Sequence, residues 1–289
     1  MIRISHLSFA YPSLPEDDPP AWVLREIDLQ IEAGQFVAIM GPTGVGKTTF
    51  CLALNGILPH LTGGRMRGDV WIDGKNTKQA SVPELARQVG LVFQEAEAHL
   101  FNTSVEDEIA FGLENLGLPR QEIRQRIDWS LGVVDMAAYR NHSPARLSGG
   151  QQKRIAIAAV LAMLPQVLVL DEPTVNLDRR GVAELLPILR SLSTDRKMTV
   201  VMASNESEVI AEYCDRVIVL DEGTVALDGT PAQVFSQVDR LHAIGVDTPQ
   251  VCQAAVYLNR AYAAGFTFYT LNQARDDLAG MLDEKSRQS

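Results

Sequence analysis

The densest chemistry in the chain lies in nine residues, GPTGVGKTT, at 41–49. A glycine, four residues and then Gly46, Lys47 and Thr48 follow an apolar run, FVAIM (36–40), and precede a helical-looking FCLALNG (50–56). Strand, glycine loop and helix in that order form the context a phosphate-binding loop requires. Glycines let backbone N–H groups turn inward onto phosphate oxygens, and the helix N-terminus adds its dipole to the same anion site. Gly41, Pro42, Thr43, Gly44, Val45, Gly46 and Thr49 would form that cradle. Lys47 would reach the β- and γ-phosphates, and Thr48 would ligate Mg²⁺. The alternative is a glycine-rich turn without a ligand. A chance match to this spacing is on the order of one in a hundred for a chain of this composition.

Two further stretches could complete such a site. VLVLDEP (167–173) is an apolar run ending in two acids. Carboxylates at the carboxyl end of a parallel strand face the crevice where ligands bind. Asp171 could hold Mg²⁺ through water, and Glu172 could orient and deprotonate an attacking water. Read alone, the pair is equally a solvated acidic turn. LSGGQQKR (147–154) places Ser148, Gly149, Gly150 and Gln151 before the apolar helix pattern IAIAAVLAML. That is either a helix N-cap or a second anion site. One nucleotide needs one phosphate loop, so a second anion site calls for a head-to-tail dimer, each chain's serine–glycine loop covering the other's nucleotide.

The elements that must carry these residues read as an α/β core. Continuous apolar runs at 36–40, 89–93, 167–170, 199–202 and 217–220 suit parallel strands buried on both faces. Helix-like segments lie between several of them. The start alternates with period two, at Ile2 and Ile4 and at Ile27, Leu29 and Ile31, which predicts an antiparallel β subdomain. PSLPEDDPP (12–20) reads as an exposed loop. A helical subdomain is expected over about 95–163, with Thr103 and Glu106 at capping-box spacing and Ile123, Ile127 and Leu131 on one face. DEG at 221–223 turns into TVALDG as a hairpin. Residues 1–235 are expected to form one domain and 236–289 a helical extension. In the extension, apolar residues at 251, 254, 255, 258 and 262 precede Gly265. Thr270 caps a last helix carrying Leu271, Ala274, Leu278 and Leu282.

The 289 residues carry a formal charge of −10, with 46% apolar residues. That balance supports a sizeable core and argues against nucleic acid or anionic lipid as a partner. Cys51, Cys214 and Cys252 form no CxxC pair and suit buried thiols in a reducing compartment. The N-terminus lacks a signal-peptide pattern. The longest apolar run, 155–164, is shorter than the ~20 residues a bilayer span needs.

With these motifs in this order, the sequence resembles the ATP-binding cassette family over residues 1 to about 235. The resemblance implies ATP and Mg²⁺ as cofactors and assigns further roles by position. Tyr11, in LSFAYP, matches the aromatic that stacks on adenine, though it also reads as an ordinary strand-end tyrosine. Gln94 matches the lid glutamine that senses metal and water and connects to the transmembrane partner. Asp178, in VNLD, matches the aspartate that signals across the dimer, with Asn176 where the family has a small residue. Asn205 stands where the family usually has histidine. It also suits a helix N-cap.

A narrower resemblance links 89–119 and 245–266 to the ATPases of energy-coupling factor transporters. His99 stands there where glutamine is common, and is taken as solvated or partner-facing. This likeness implies a peripheral protein on the cytoplasmic face of the membrane, with a second cassette ATPase, a transmembrane coupling subunit and a separate subunit that captures a vitamin or metal ion. Asn205 favours a heterodimer over a homodimer. The rivals are the ATPase of a binding-protein-dependent importer, a soluble cassette ATPase and a regulatory nucleotide-binding module.

Overall fold

The apolar runs assemble into one six-stranded sheet. The computed structural model describes residues 1–12, 19–262 and 264–288, with side chains through residue 281. Most of the PSLPEDDPP loop therefore lies outside the described residues. The described residues form ten strands: β1 Ile2–Ala10, β2 Trp22–Ile31, β3 Phe36–Met40, β4 Arg65–Ile72, β5 Lys75–Asn76, β6 Val89–Val92, β7 Val167–Asp171, β8 Thr199–Ala203, β9 Arg216–Asp221 and β10 Thr224–Gly229. The large sheet has the order β10-β9-β3-β8-β7-β6. All its pairings are parallel except the edge hairpin of β9 and β10. Every residue of β3, β7 and β8 is buried. That accounts for their largely apolar character, because both faces of such a sheet are covered.

Parallel strands end on the same edge. Gly41 follows β3, Glu172 follows β7, Ser204 and Asn205 follow β8, and β6 leads to Gln94. The order β3-β8-β7-β6 brings these four strand ends side by side.

The second sheet, β2-β1-β4-β5, is antiparallel. Ile2 lies opposite Ile31 and Ile4 opposite Leu29. These residues share a core with Val37, Ile39 and the helix Lys47–Leu54, through Phe50 and Leu54. The phosphate-loop helix is thereby clamped between the two sheets.

The helical subdomain is built on helices Val105–Asn115, Arg120–Val133 and Gly149–Ala162. Ile123, Ile127 and Leu131 are buried on one face. The cap of the first helix departs from expectation by one residue. Ser104, not Thr103, is the N-cap, and its Oγ accepts the Asp107 N–H at 3.1 Å. Glu106 cannot reach back to the cap, because the Arg140 guanidinium holds its carboxylate at 2.7 Å. Backbone bonds from Val105 to His142 and from Glu106 to Arg140, both 2.9 Å, set where the helix starts.

Beyond β10, Phe235, Leu241, Val246 and Cys252 still belong to the main core. A small separate core of Ala255, Phe268 and Ala274 joins helices Gln250–Tyr262 and Leu271–Gln288. Thr270 caps the last helix, its Oγ1 accepting Gln273 N–H at 3.4 Å. Two expected members of this seam turn outward, Tyr262 at 70% and Leu271 at 75% exposure, and Ala254 is also exposed. Asn259 binds both polar groups of the Phe266 backbone at 2.7 Å. Phe266 and Phe268 pack into the seam. The side chain of Leu282 lies outside the described residues.

Candidate active site

The loop 41–47 owes its shape to two glycines. Gly41 has φ 148°, and a Cβ there would sit 2.4 Å from the Leu220 carbonyl oxygen. Gly46 has φ 109°, and its Cβ would meet Leu24 at 2.9 Å. Only glycine fits both the angles and the close approach. The helix then starts at once, with Phe50 N–H donating to Gly46 O at 2.8 Å. Lys47 is 9% exposed and its ammonium lies across the loop, donating to Gly41 O at 2.8 Å and Pro42 O at 3.3 Å. Burial lowers its pKa, and the carboxylates of Glu172 and Asp171 oppose that shift.

The Thr48 hydroxyl donates to Asp171 Oδ2 at 2.7 Å. These two hard oxygen donors touch at the mouth of a cleft of about 480 Å³, which Gln94 also lines. One hydroxyl, one carboxylate and an amide oxygen, with space for phosphate and water, fit Mg²⁺, which takes few protein ligands. Tyr11, Thr43 and Glu172 complete that side of the cleft, together with Val23 and Val175. The Tyr11 hydroxyl lies 3.2 Å from Thr49 Oγ1, and its ring meets Phe9 edge-on at 5.0 Å.

Glu172 sits just past β7 with φ 47°, a left-handed conformation that costs a non-glycine residue energy. Its N–H donates to Ala203 O at 2.8 Å, pinning the turn to the end of β8. Burial raises the pKa of its carboxyl above the ordinary value. Lys47 opposes that shift, and Asp171 and Glu206 reinforce it. A carboxylate so placed is a better proton acceptor than one in water. The buried Ser204 hydroxyl beside it favours the ionised form. Sequence reasoning missed Val23, which lines the cleft, and Ser204, which sits buried beside Glu172, since only tertiary pairing of distant strands brings either to the site.

Asn205 is exposed and does not cap the following helix. The N-cap of Ser207–Tyr213 is Glu206, without a side-chain cap. The Asn205 Oδ1 instead accepts the Gly41 N–H at 3.2 Å. Ser204 N–H donates to Ile39 O at 3.1 Å, so β8 is still paired with β3 where Asn205 branches, which keeps Asn205 beside the start of the phosphate loop.

The remaining predicted residues gather elsewhere. Ser148, Gly149, Gly150, Gln151, Asn176 and Asp178 line a second cleft of about 660 Å³, which shares no lining residue with the first. Ser148 and Gln151 form a reciprocal capping box, Ser148 Oγ accepting Gln151 N–H at 3.3 Å and Gln151 Oε1 accepting Ser148 N–H at 3.0 Å. Asp178 caps the helix Arg179–Arg196 by accepting Gly181 N–H at 2.7 Å. Asn176 has φ 66°, a left-handed angle that asparagine tolerates better than most side chains. His99 is exposed and meets Phe93 edge-on at 5.6 Å.

A model of the ABC transporter family matches residues 24–175, more than half of the chain. The chain belongs to the ABC transporter family. Relatives extend the match well beyond that segment. A putative ABC transporter ATP-binding protein of Pyrococcus abyssi is 43% identical over 86% of this chain and 87% of its own length. The energy-coupling factor transporter ATP-binding protein EcfA1 of Caldanaerobacter subterraneus subsp. tengcongensis is 40% identical over 90% of this chain and 91% of its own. Among solved structures, cbiO1 of Clostridium perfringens, part of the ABC transporter complex cbiONQ, superposes with a TM-score of 0.73. It is 32% identical, over 88% of this chain and 97% of its own. A dimeric ATP-binding cassette bound to ADP and Pi gives a TM-score of 0.69 at 28% identity, over 80% of this chain and 99% of its own. The chain is therefore an ABC ATPase, an ATP-binding subunit whose hydrolysis of ATP is coupled to transport. Among the described residues no helix is long and apolar enough to cross a membrane.

Proposed function

We propose that this ABC ATPase powers an energy-coupling factor type importer of a vitamin or a metal ion. It would pair with a second cassette ATPase and drive a transmembrane coupling subunit from the cytoplasmic face of the membrane. A separate membrane subunit would capture the solute. Relatives named as energy-coupling factor ATP-binding proteins, 38–40% identical over nearly the whole chain, support that reading.

The observation that carries the mechanism is the separation of the two clefts. The phosphate loop, Thr48, Gln94, Asp171 and Glu172 line one, and the Ser148–Gln151 loop with Asp178 lines another. A nucleotide touched by both groups needs two chains. Tyr11 stacks on adenine, residues 41–49 cradle the phosphates, and Lys47 neutralises charge on the β- and γ-phosphates. Thr48, Asp171 and Gln94 would hold Mg²⁺, which would supply neutralisation of phosphate charge. Glu172 accepts a proton as water attacks the γ-phosphorus, and the bond to the ADP oxygen breaks. Catalysis is then positioning plus charge stabilisation. Ser148 to Gln151 and Asp178 close over the partner's nucleotide. Asn205 gives this chain a weaker site of its own, which favours a heterodimer.

Tagging the chain and purifying it from detergent-solubilised membranes tests the proposal. The expected result is a complex holding a second cassette ATPase and two kinds of polytopic protein, one of them exchangeable. Recovery of only a conventional permease pair with an extracellular binding protein would overturn it.

A further inference from the structure

Lys153 lies in the helix Gly149–Ala162, whose N-terminal turn is the Ser148–Gln151 loop. Its side chain is only 1% exposed. A buried ammonium is tolerated only where it is paired and hydrogen-bonded. Lys153 has both kinds of partner. It donates to the backbone carbonyl of Gln94, and its Nζ lies 3.2 Å from Glu97 Oε2. Gln94 itself is exposed at the end of β6, and its side chain lines the phosphate-loop cleft. The lysine thus links the Gln94 backbone to the helix Gly149–Ala162, while Gln94 lines the phosphate-loop cleft.

We infer that Lys153, braced by Glu97, is a positioning residue for Gln94. It holds the Gln94 backbone so that the amide meets the phosphate end of the cleft, and it ties that segment to the helix that starts at Ser148. A carbonyl held by a cation has one favoured place. Without the cation, the carbonyl and the Glu97 carboxylate must turn toward water, and the Gln94 side chain moves with them. The inference rests on the proposed role of Gln94 facing the bound nucleotide.

Four variants of the full chain, each assembled with the proteins that copurify with it, test this: Lys153→Met, Glu97→Gln, Gln94→Ala and Lys153→Met with Gln94→Ala. Displacement of about 1 Å at a reacting group can cost on the order of 100-fold, so Lys153→Met should lower kcat roughly 10- to 100-fold. The KM for ATP and the binding of a fluorescent ATP analogue without Mg²⁺ should stay nearly constant, because the phosphate loop is untouched. Glu97→Gln should lower kcat in the same direction by less. In the Gln94→Ala background, Lys153→Met should cost no more than about twofold further, as expected for residues acting through one group.

A Lys153→Met loss equally large in both backgrounds would overturn the inference, as would unchanged kcat in Lys153→Met and Glu97→Gln. If Gln94→Ala alone leaves kcat intact, the role given to Gln94 falls and the inference falls with it. If Gln94→Ala lowers kcat and neither of the other single variants does, only the inference falls. Should Lys153→Met fail to fold, as a melting curve would show, Glu97→Gln with and without Gln94→Ala decides the same question.

Discussion

Replacing Asn205 with histidine should speed ATP hydrolysis by the isolated chain. Asn205 is exposed past β8, with its Oδ1 on the Gly41 N–H at 3.2 Å. A neutral imidazole can accept that bond at Nδ1 and present Nε2–H further out, toward the γ-phosphate and the attacking water. Two opposing quantities set the outcome. If the ring gives up the Gly41 contact, the cost is that of one neutral hydrogen bond, about 0.5–1.5 kcal/mol. Water can replace the bond at an exposed position, which favours the low end. A well-placed donor to the transition state contributes ~2.7–4 kcal/mol. The difference, roughly 1–3.5 kcal/mol, corresponds to a gain of about five- to a few-hundredfold in kcat. The assay is steady-state phosphate release at saturating Mg-ATP by the wild-type chain alone, the Asn205→His chain alone, and each mixed with its copurifying ATPase partner. Slow turnover of the wild type alone, a gain with histidine, and fast turnover in the mixed pair are expected. Fast hydrolysis by the wild type alone, unimproved by histidine, would refute the reasoning.

Other outcomes follow from the same geometry. Glu172→Gln should retain ATP binding, lower turnover by roughly 10²–10⁴ and trap the ATP-bound dimer, read by size-exclusion chromatography. Because burial raises the Glu172 pKa, the native state holds that proton to higher pH than the unfolded chain does. Stability is therefore lost as pH rises through the interval between the ordinary and the raised value, and Glu172→Gln should raise the melting temperature above that interval but not below it. Thr48→Val removes the donor to Asp171 Oδ2 and should destabilise the free protein by about 1.5–3 kcal/mol, measured by urea denaturation. In a flotation assay the purified chain should stay with the aqueous fraction, and its rising with liposomes would contradict docking through membrane partners.

Much of the site was legible because its parts are short and locally constrained. Gly41 to Thr49 must be a turn leading into a helix, whatever surrounds it. The apolar runs ending at Met40, Leu170 and Met202 are of a length that suits buried strands. Ser148 to Gln151 carries its own capping box. The phosphate loop and the capping box are held by contacts within a few residues, where sequence spacing and spatial distance agree. Tertiary structure alone decided how the parts face each other. The order β3-β8-β7-β6 puts Asn205 against Gly41 and Glu172 against Ala203. It also assigns the phosphate loop and the serine–glycine loop to different clefts. Arg140 took Glu106 away from a cap that its spacing allowed, and Lys153 entered the core beneath Gln94 although its neighbours in sequence are glutamine and arginine. Pairings between distant segments are selected by burial, charge and strand register over the whole chain, so no local pattern encodes them.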